Sequence, residues 1–540
     1  MTIKRLILSV LTVVAILLAG ASLWQSWKQP QIQSRLELYQ TNLLLHAAQW
    51  QPEASAGANL SGARNTLVGE KPFEAASEQY QEARSSATTS LEKAKNQLEK
   101  LRSQAVSTPA LPNPQLDVAP VTDTSRNRQQ QQLQKSVNQL QRLIAEIDLR
   151  LGLLQAQPGQ TDKALKTWAS LRQQGSTGVS PVGALEQGRG LKPELVDTAT
   201  VLIGLWSNPP RLLPNAEQLI QNNLDGWFRY RALSELYQLQ QRQEALATLF
   251  TSEQEAAQQA LMKLAVIGSI PTLGGLLGVG LLIFLVIQRL VKGKESLLGQ
   301  NEDITWSTPW SGETVWQVFV LGFFLMGQIL VPLLFSLLQL KPAGSSVRIQ
   351  ALYVLASYLL VALGGLSVLY VSVKPFLPLP ESWFRFKWRG SWFLWGLGGY
   401  CVALPVVVVV SLINEQLWQG QGGSNPLLSL ALEAQDQAAL AIFFFTAAIA
   451  APFFEEFLFR GFLLPSLTRY MSVWEAILVS SFLFAVAHLS LSEILPLTVL
   501  GIVLGVVYTR SRNLLAPMLL HSLWNSGTLL SLFVLGSGSR

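Results

Sequence analysis

Beyond residue 260 the sequence is a succession of apolar runs separated by short loops, and a backbone in hydrocarbon must satisfy every N–H and C=O within itself. Runs at 264–287, 315–338, 350–373, 392–412, 438–464, 474–491, 494–509 and 514–535 follow an earlier one at 6–24. A helix needs about 20 apolar residues to cross a bilayer, and the run at 494–509 is the weakest of the nine by length. The expected fold class is therefore all-α, a polytopic helical membrane protein. The chain is 49% hydrophobic and only 14% charged, where a soluble domain carries about a quarter charged residues.

That charge deficit is uneven. Residues 30–260 are polar and Gln-rich, so two regions with different solvents are expected. The reading divides the chain into a membrane anchor or signal segment at 1–24, a helical extracytoplasmic domain at 25–260, additional transmembrane helices at 261–390 and a membrane core at 391–540. Lys4 and Arg5 precede the first run, which ends in Ala19-Gly20-Ala21-Ser22. This fits either an uncleaved anchor, the preferred reading, or a cleavable signal.

Lys and Arg in short loops mark the cytoplasmic side. Arg289, Lys292 and Lys294 place one such loop there, as do Lys374, Arg385, Lys387 and Arg389, and finally Arg510 and Arg512. The loop 413–437 has no Lys or Arg but carries Glu415, Glu433 and Asp436, and is expected outside. The net charge of +6 sits largely in these loops, which points to membrane orientation and away from a nucleic-acid partner. The single cysteine, Cys401, rules out an intrachain disulfide and reads as packing.

In the polar region, Phe73–Gln104 and Arg128–Gln157 are expected to be helices, with Pro109, Pro112, Pro114 and Pro120 marking the linker. Leu133, Val137, Leu140, Ile144, Ile147 and Leu151 step by four and three, an apolar stripe on one helix face. Leu151, Gly152, Gly159, Ala164 and Trp168 have the spacing of a tetratricopeptide hairpin, whose small residues let two helices approach. An approximate second copy, Trp227–Leu249 with Leu233 and Tyr237, is out of phase. The alternative is an ordinary α-helical domain; a true repeat would make this region a platform for a protein partner. His46 reads as structural.

Ionisable groups within apolar runs are costly and usually functional. Glu456 and Arg460, four apart, share a helix face and can pair, while Glu455 points about 100° away and stays free to accept a proton. His488 lies one turn after Phe484, and His521 one turn before Asn525. Carboxylate, imidazole and amide are equipment for hydrolysis. A carboxylate out of water takes a proton more readily, an imidazole can orient water, bind a metal or donate to an oxyanion, and an amide can also donate. No serine elbow, reactive cysteine setting or His-Glu-x-x-His zinc helix accompanies them.

Glu455-Glu456-x-x-x-Arg460, Phe484-x-x-x-His488 and His521-x-x-x-Asn525, in that order and roughly 25 to 35 residues apart, resemble the three motifs of the CAAX-processing and bacteriocin-processing intramembrane proteases, the CPBP or Abi family. The resemblance covers about residues 390–535. It implies an intramembrane endopeptidase acting on a membrane-associated protein or peptide. Glu455 would be the general base on a water that His488 helps to hold. His521 and Asn525 would stabilise the oxyanion, and Glu456 with Arg460 would brace the site. The resemblance leaves open a divalent metal such as zinc, held by Glu455, His488 and His521, or water activated by glutamate alone. A simple trace puts His488 deeper than His521, so the helices must tilt or stagger to bring them together. The rival classes are a transporter or proton relay, which also buries Glu, His and Arg, and a non-catalytic scaffold using the polar domain to gather partners.

Overall fold

A computed structural model describes residues 2–27, 33–51, 62–106 except 63 and 66, 121–156, 160–176, 192–418 except 341, 343 and 344, then 422–423, 430 and 436–536. Among these, every regular element is a helix. The chain divides into two compact units, Met1–Gln33 with Val266–Ser537, and Ser34–Ala265. The helix Gln243–Lys292 begins in the second unit and ends in the first.

The polar unit is built from α2 (Gln33–Gln49), α3 (Pro72–Val106), α4 (Val121–Gln155), α5 (Thr161–Ser176), α6 (Pro193–Trp206), α7 (Ala216–Asn223), α8 (Gly226–Leu239) and the start of α9 (Gln243–Lys292). From α3 to α8 each helix packs on the next in sequence. The α4 stripe faces inward, with Val137, Ile144, Ile147 and Leu151 buried. Gly152 explains the close approach of α4 and α5. A Cβ there would lie 2.1 Å from Trp168 Nε1, and that nitrogen donates to the Leu149 carbonyl at 3.2 Å. Trp227–Leu249 spans α8 and the start of α9, interrupted at Gln240–Arg242. The expected markers Pro109, Pro112, Pro114, Pro120 and Gly159, and Glu433 of the outer loop, lie outside the described residues.

Among the described residues, eight helices are long and apolar enough to cross a membrane. They are α1 (Ile3–Ser26), α9, α10 (Gly312–Leu337), α11 (Val347–Phe376), α12 (Trp392–Trp418), α13 (Gln437–Leu467), α15 (Leu491–Ser511) and α16 (Leu515–Leu535). One expected span changes and another gains length. The run 474–491 forms only α14 (Val473–Val486), 14 residues long. At 1.5 Å per residue that is about 21 Å, short of the hydrocarbon thickness. The helix ends because the chain turns at Ala487–His488, with Leu489 left-handed at φ 56°. The run 494–509, the weakest by length, is a span as expected and falls in α15, which is longer because Leu491–Glu493 precede it as a 3₁₀ turn.

The pair α14–α15 is packed through small residues. Gly501 and Gly505 lie one turn apart on α15, and a Cβ on them would meet Ser481 at 2.8 Å and Ile477 at 2.9 Å respectively. Close contact between glycine-bearing faces is a means of helix association that does not require water.

Candidate active site

Helix α13 carries both glutamates on a short α-helical stretch, Ala451–Glu456, between two wider π-helical turns at Phe445–Ala450 and Phe457–Leu463. Such widenings recur at functional sites because they re-aim side chains and free backbone groups. In π winding the donor for the Ala447 carbonyl would be residue 452, but Pro452 has no N–H. Asn525 Nδ2 donates to that carbonyl at 2.7 Å. The structure thus places Asn525 as a clasp between α16 and α13, with its second amide hydrogen left over.

Glu456 and Arg460 pair as their spacing predicts, Arg460 Nη1 donating to Glu456 Oε1 at 2.8 Å, and both side chains are fully buried. The same carboxylate oxygen lies 2.8 Å from His521 Nδ1. Arg460 Nη2 donates to the Gly501 carbonyl at 3.1 Å, and its guanidinium sits 4.5 Å from the Phe484 ring centre. Glu456 therefore joins α13 to α16, and Arg460 joins α13 to α14 and α15.

Glu455 faces differently. Its Oε1 accepts from the Tyr358 hydroxyl at 3.3 Å. Its Oε2 is buried without a hydrogen-bond partner and lies 4.0 Å from His521 Nε2. His521 therefore stands between the two glutamates, one nitrogen on each side.

His488 lies in the turn after α14. Its Nδ1 is 2.9 Å from the Phe484 carbonyl; a carbonyl only accepts, so Nδ1 carries the proton and Nε2 is left as an acceptor. The edge-to-face contacts of Phe484 reach both histidines, at 4.9 Å for His488 and 5.7 Å for His521. The short α14 thus brings His488 and His521 against one phenylalanine, and Glu455, Glu456, Arg460 and His521 converge directly. No cluster of three or more His, Cys, Asp or Glu side chains among the described residues is placed to hold a metal ion.

Sequence reasoning missed three contributors. Tyr358, on α11, is one; a buried tyrosine hydroxyl needs a partner, which was the available signal. The Gly501 carbonyl is another. The third is Ser26, at the end of α1. Its Oγ accepts from Leu491 N at 3.2 Å and donates to the Gly422 carbonyl. Gly422 O also accepts from Ser492 N at 3.2 Å, and Asn414 Nδ2 donates to Ser492 O at 2.7 Å. The segment that carries His488 is fastened from α1 and α12.

Residues 437–527 match the family described as type II CAAX prenyl endopeptidase Rce1-like. With eight apolar helices among the described residues and bacterial relatives, the chain is a multi-pass bacterial membrane protein whose candidate site lies in a CAAX-protease-like segment. Among curated relatives it is similar to the membrane-embedded CAAX protease MroQ of Staphylococcus aureus, 28% identical over 137 residues, 24% of this chain and 54% of the relative. It is also similar to the putative membrane peptidase YdiL of Bacillus subtilis, 25% identical over 133 residues, 25% of this chain and 53% of the relative. The chain spans about half the length of the curated relatives it matches. No solved structure gives a significant match. All seven motif residues fall inside the matched segment, and Tyr358 and Ser26 fall outside it.

Proposed function

We propose that this protein is an intramembrane endopeptidase that hydrolyses a peptide bond of a membrane-associated protein or peptide, with Glu455 as general base. The observation that carries the reading is the unequal pair of glutamates. Glu456 is engaged by Arg460 and His521, while Glu455 Oε2 is buried, unpartnered and beside His521. The family match over the same segment and the protease names of the relatives support it.

In the proposed step a water gives a proton to Glu455 Oε2 as its oxygen attacks the scissile carbonyl carbon. His488 Nε2, a bare acceptor, holds the water's other hydrogen. The tetrahedral oxyanion is met by His521 Nε2–H when that ring is protonated, and by the remaining Asn525 amide hydrogen. Collapse breaks the C–N bond, and Glu455 returns its proton to the departing amine. Glu456 and Arg460 act through His521, fixing its ring as a carboxylate fixes a catalytic imidazole. A divalent metal such as zinc is the other activator the motif resemblance implies. The side chains of Glu455, His488 and His521 are not gathered as a ligand set here, and the step uses side chains and water alone.

The polar unit is proposed to be extracytoplasmic and to select substrates or bind a protein partner. The basic loops 288–314 and 374–391 support the orientation. The decisive experiment compares the membrane proteomes of cells carrying wild type and Glu455→Ala. One membrane-associated protein should accumulate uncleaved in the variant and be cut by purified wild type. Ion flux without cleavage in reconstituted vesicles would favour the relay instead.

A further inference from the structure

We infer that Tyr358 is a positioning residue for the proposed base, its hydroxyl holding Glu455 Oε1 so that Oε2 is the oxygen left to take the proton from water. The inference rests on the endopeptidase reading, and it extends the site to α11, a helix that the family match does not reach.

Three observations carry it. The Tyr358 hydroxyl lies 3.3 Å from Glu455 Oε1 and 3.4 Å from the Ala451 carbonyl, one turn earlier on the same helix. A phenol has one hydrogen to donate, and both neighbours are acceptors. An ionised carboxylate is the stronger acceptor, so the proton goes to Glu455, and the Ala451 carbonyl marks where the hydroxyl would turn once Glu455 is protonated. Second, the two carboxylate oxygens differ: Oε1 has a donor and Oε2, buried, has none. Oε2 lies 4.0 Å from His521 Nε2. Third, the Tyr358 ring is itself fixed, standing edge-on to Phe454 at 6.1 Å between centroids, on the residue next to Glu455. A carboxylate on three rotatable bonds is thereby held in one rotamer without occupying the oxygen that reacts. Pre-positioning of this kind is worth rate because a displacement of about 1 Å costs up to ~10²-fold.

The test is Tyr358→Phe in the purified, full-length protein, assayed on a cleaved membrane substrate. Phenylalanine keeps the ring against Phe454 and removes only the hydroxyl. The expected result is a kcat lower by roughly 10- to 100-fold, with KM within about twofold and an unchanged thermal midpoint. A second measurement repeats the substitution in a Glu455→Asp background, where the shortened carboxylate no longer meets the hydroxyl. There the added loss should shrink to about twofold or less. An unchanged kcat for Tyr358→Phe, a loss that follows the thermal midpoint, or an equal loss in both backgrounds overturns the inference. Glu455→Gln, run alongside, separates the two readings. If Glu455→Gln cleaves as well as wild type, the endopeptidase chemistry fails. If it is inactive while Tyr358→Phe is normal, only the role of Tyr358 fails.

Discussion

Both units of the molecule bury charge, and they treat it differently. In the polar unit Arg84 holds both oxygens of the fully buried Asp148, and the buried His46 meets the buried Glu253 at 2.8 Å. In the membrane unit Glu455 Oε2, Glu456 Oε2, Arg460 Nε and Arg510 Nη2 are buried with no partner among the described residues. An unsatisfied buried polar group costs about 1–3 kcal/mol, and more when charged. A solvent with nothing to offer such a group should have removed these residues first. The lesson is that buried charge alone indicates packing, whereas buried charge left partly unpaired beside two histidines indicates a site.

The comparison breaks most sharply at Glu455. Glu455→Gln keeps shape and removes the base, and cleavage should fall by about 10² to 10⁴ at unchanged thermal midpoint. A normal rate would reduce the membrane unit's unpaired charge to incidental strain.

Next comes Glu456→Gln, which leaves Arg460 without its carboxylate in a fully buried site. Losing one partner of such a pair typically costs about 3–5 kcal/mol. Because His521 Nδ1 shares the same oxygen, activity per folded molecule should fall as well. Stability is read as thermal midpoint and rate per folded molecule in one detergent. Reversed behaviour, a stable but inactive Glu456→Gln beside an unstable Glu455→Gln, would exchange their roles.

The polar-unit counterpart is Asp148→Asn. Arg84 is about a third exposed, so its released guanidinium can return to water, and the loss should be about 1–3 kcal/mol. Cleavage should not change. A drop in activity comparable to that of Glu456→Gln would erase the distinction between structural and functional buried charge.

What could be read in the sequence follows from how far apart the partners lie along the chain. Glu456 and Arg460 are one turn apart, so helix geometry alone pairs them. Phe484 and His488 share that spacing, and the contact is as expected. Contacts between helices were not legible. Nothing in the sequence says that Glu456 is bonded to His521 as well as Arg460, or that Arg460 reaches Gly501. Tyr358 belongs to no motif, and an apolar run holding a tyrosine is ordinary. The shifted bounds of two runs have a similar cause. Hydropathy averages over a window, so it carried 474–491 through the turn at Ala487–His488 and left Leu491–Glu493 out of the next helix. The staggering that a straight trace seemed to need is met by a short helix.

The smallest expected effect is the most specific test of how α1 contributes. Ser26 is far in sequence from every motif residue, yet its hydroxyl ties Leu491 to Gly422. The turn it fastens contains Leu489 at a positive φ, a conformation that costs a non-glycine residue roughly 1–2 kcal/mol and persists only where the surroundings hold it. His488 is the residue just before. Ser26→Ala removes one acceptor and one donor, while Asn414 and Gly422 still hold Ser492. The turn should loosen without unfolding. A hydrogen bond of this kind is worth about 1 kcal/mol, so His488 should leave its productive position in a corresponding fraction of molecules. Cleavage should fall by about fivefold at most, with little change in thermal midpoint. Ser26→Thr, which keeps the hydroxyl, should restore most of the rate. If alanine and threonine behave alike, α1 serves the membrane unit as an anchor and nothing more.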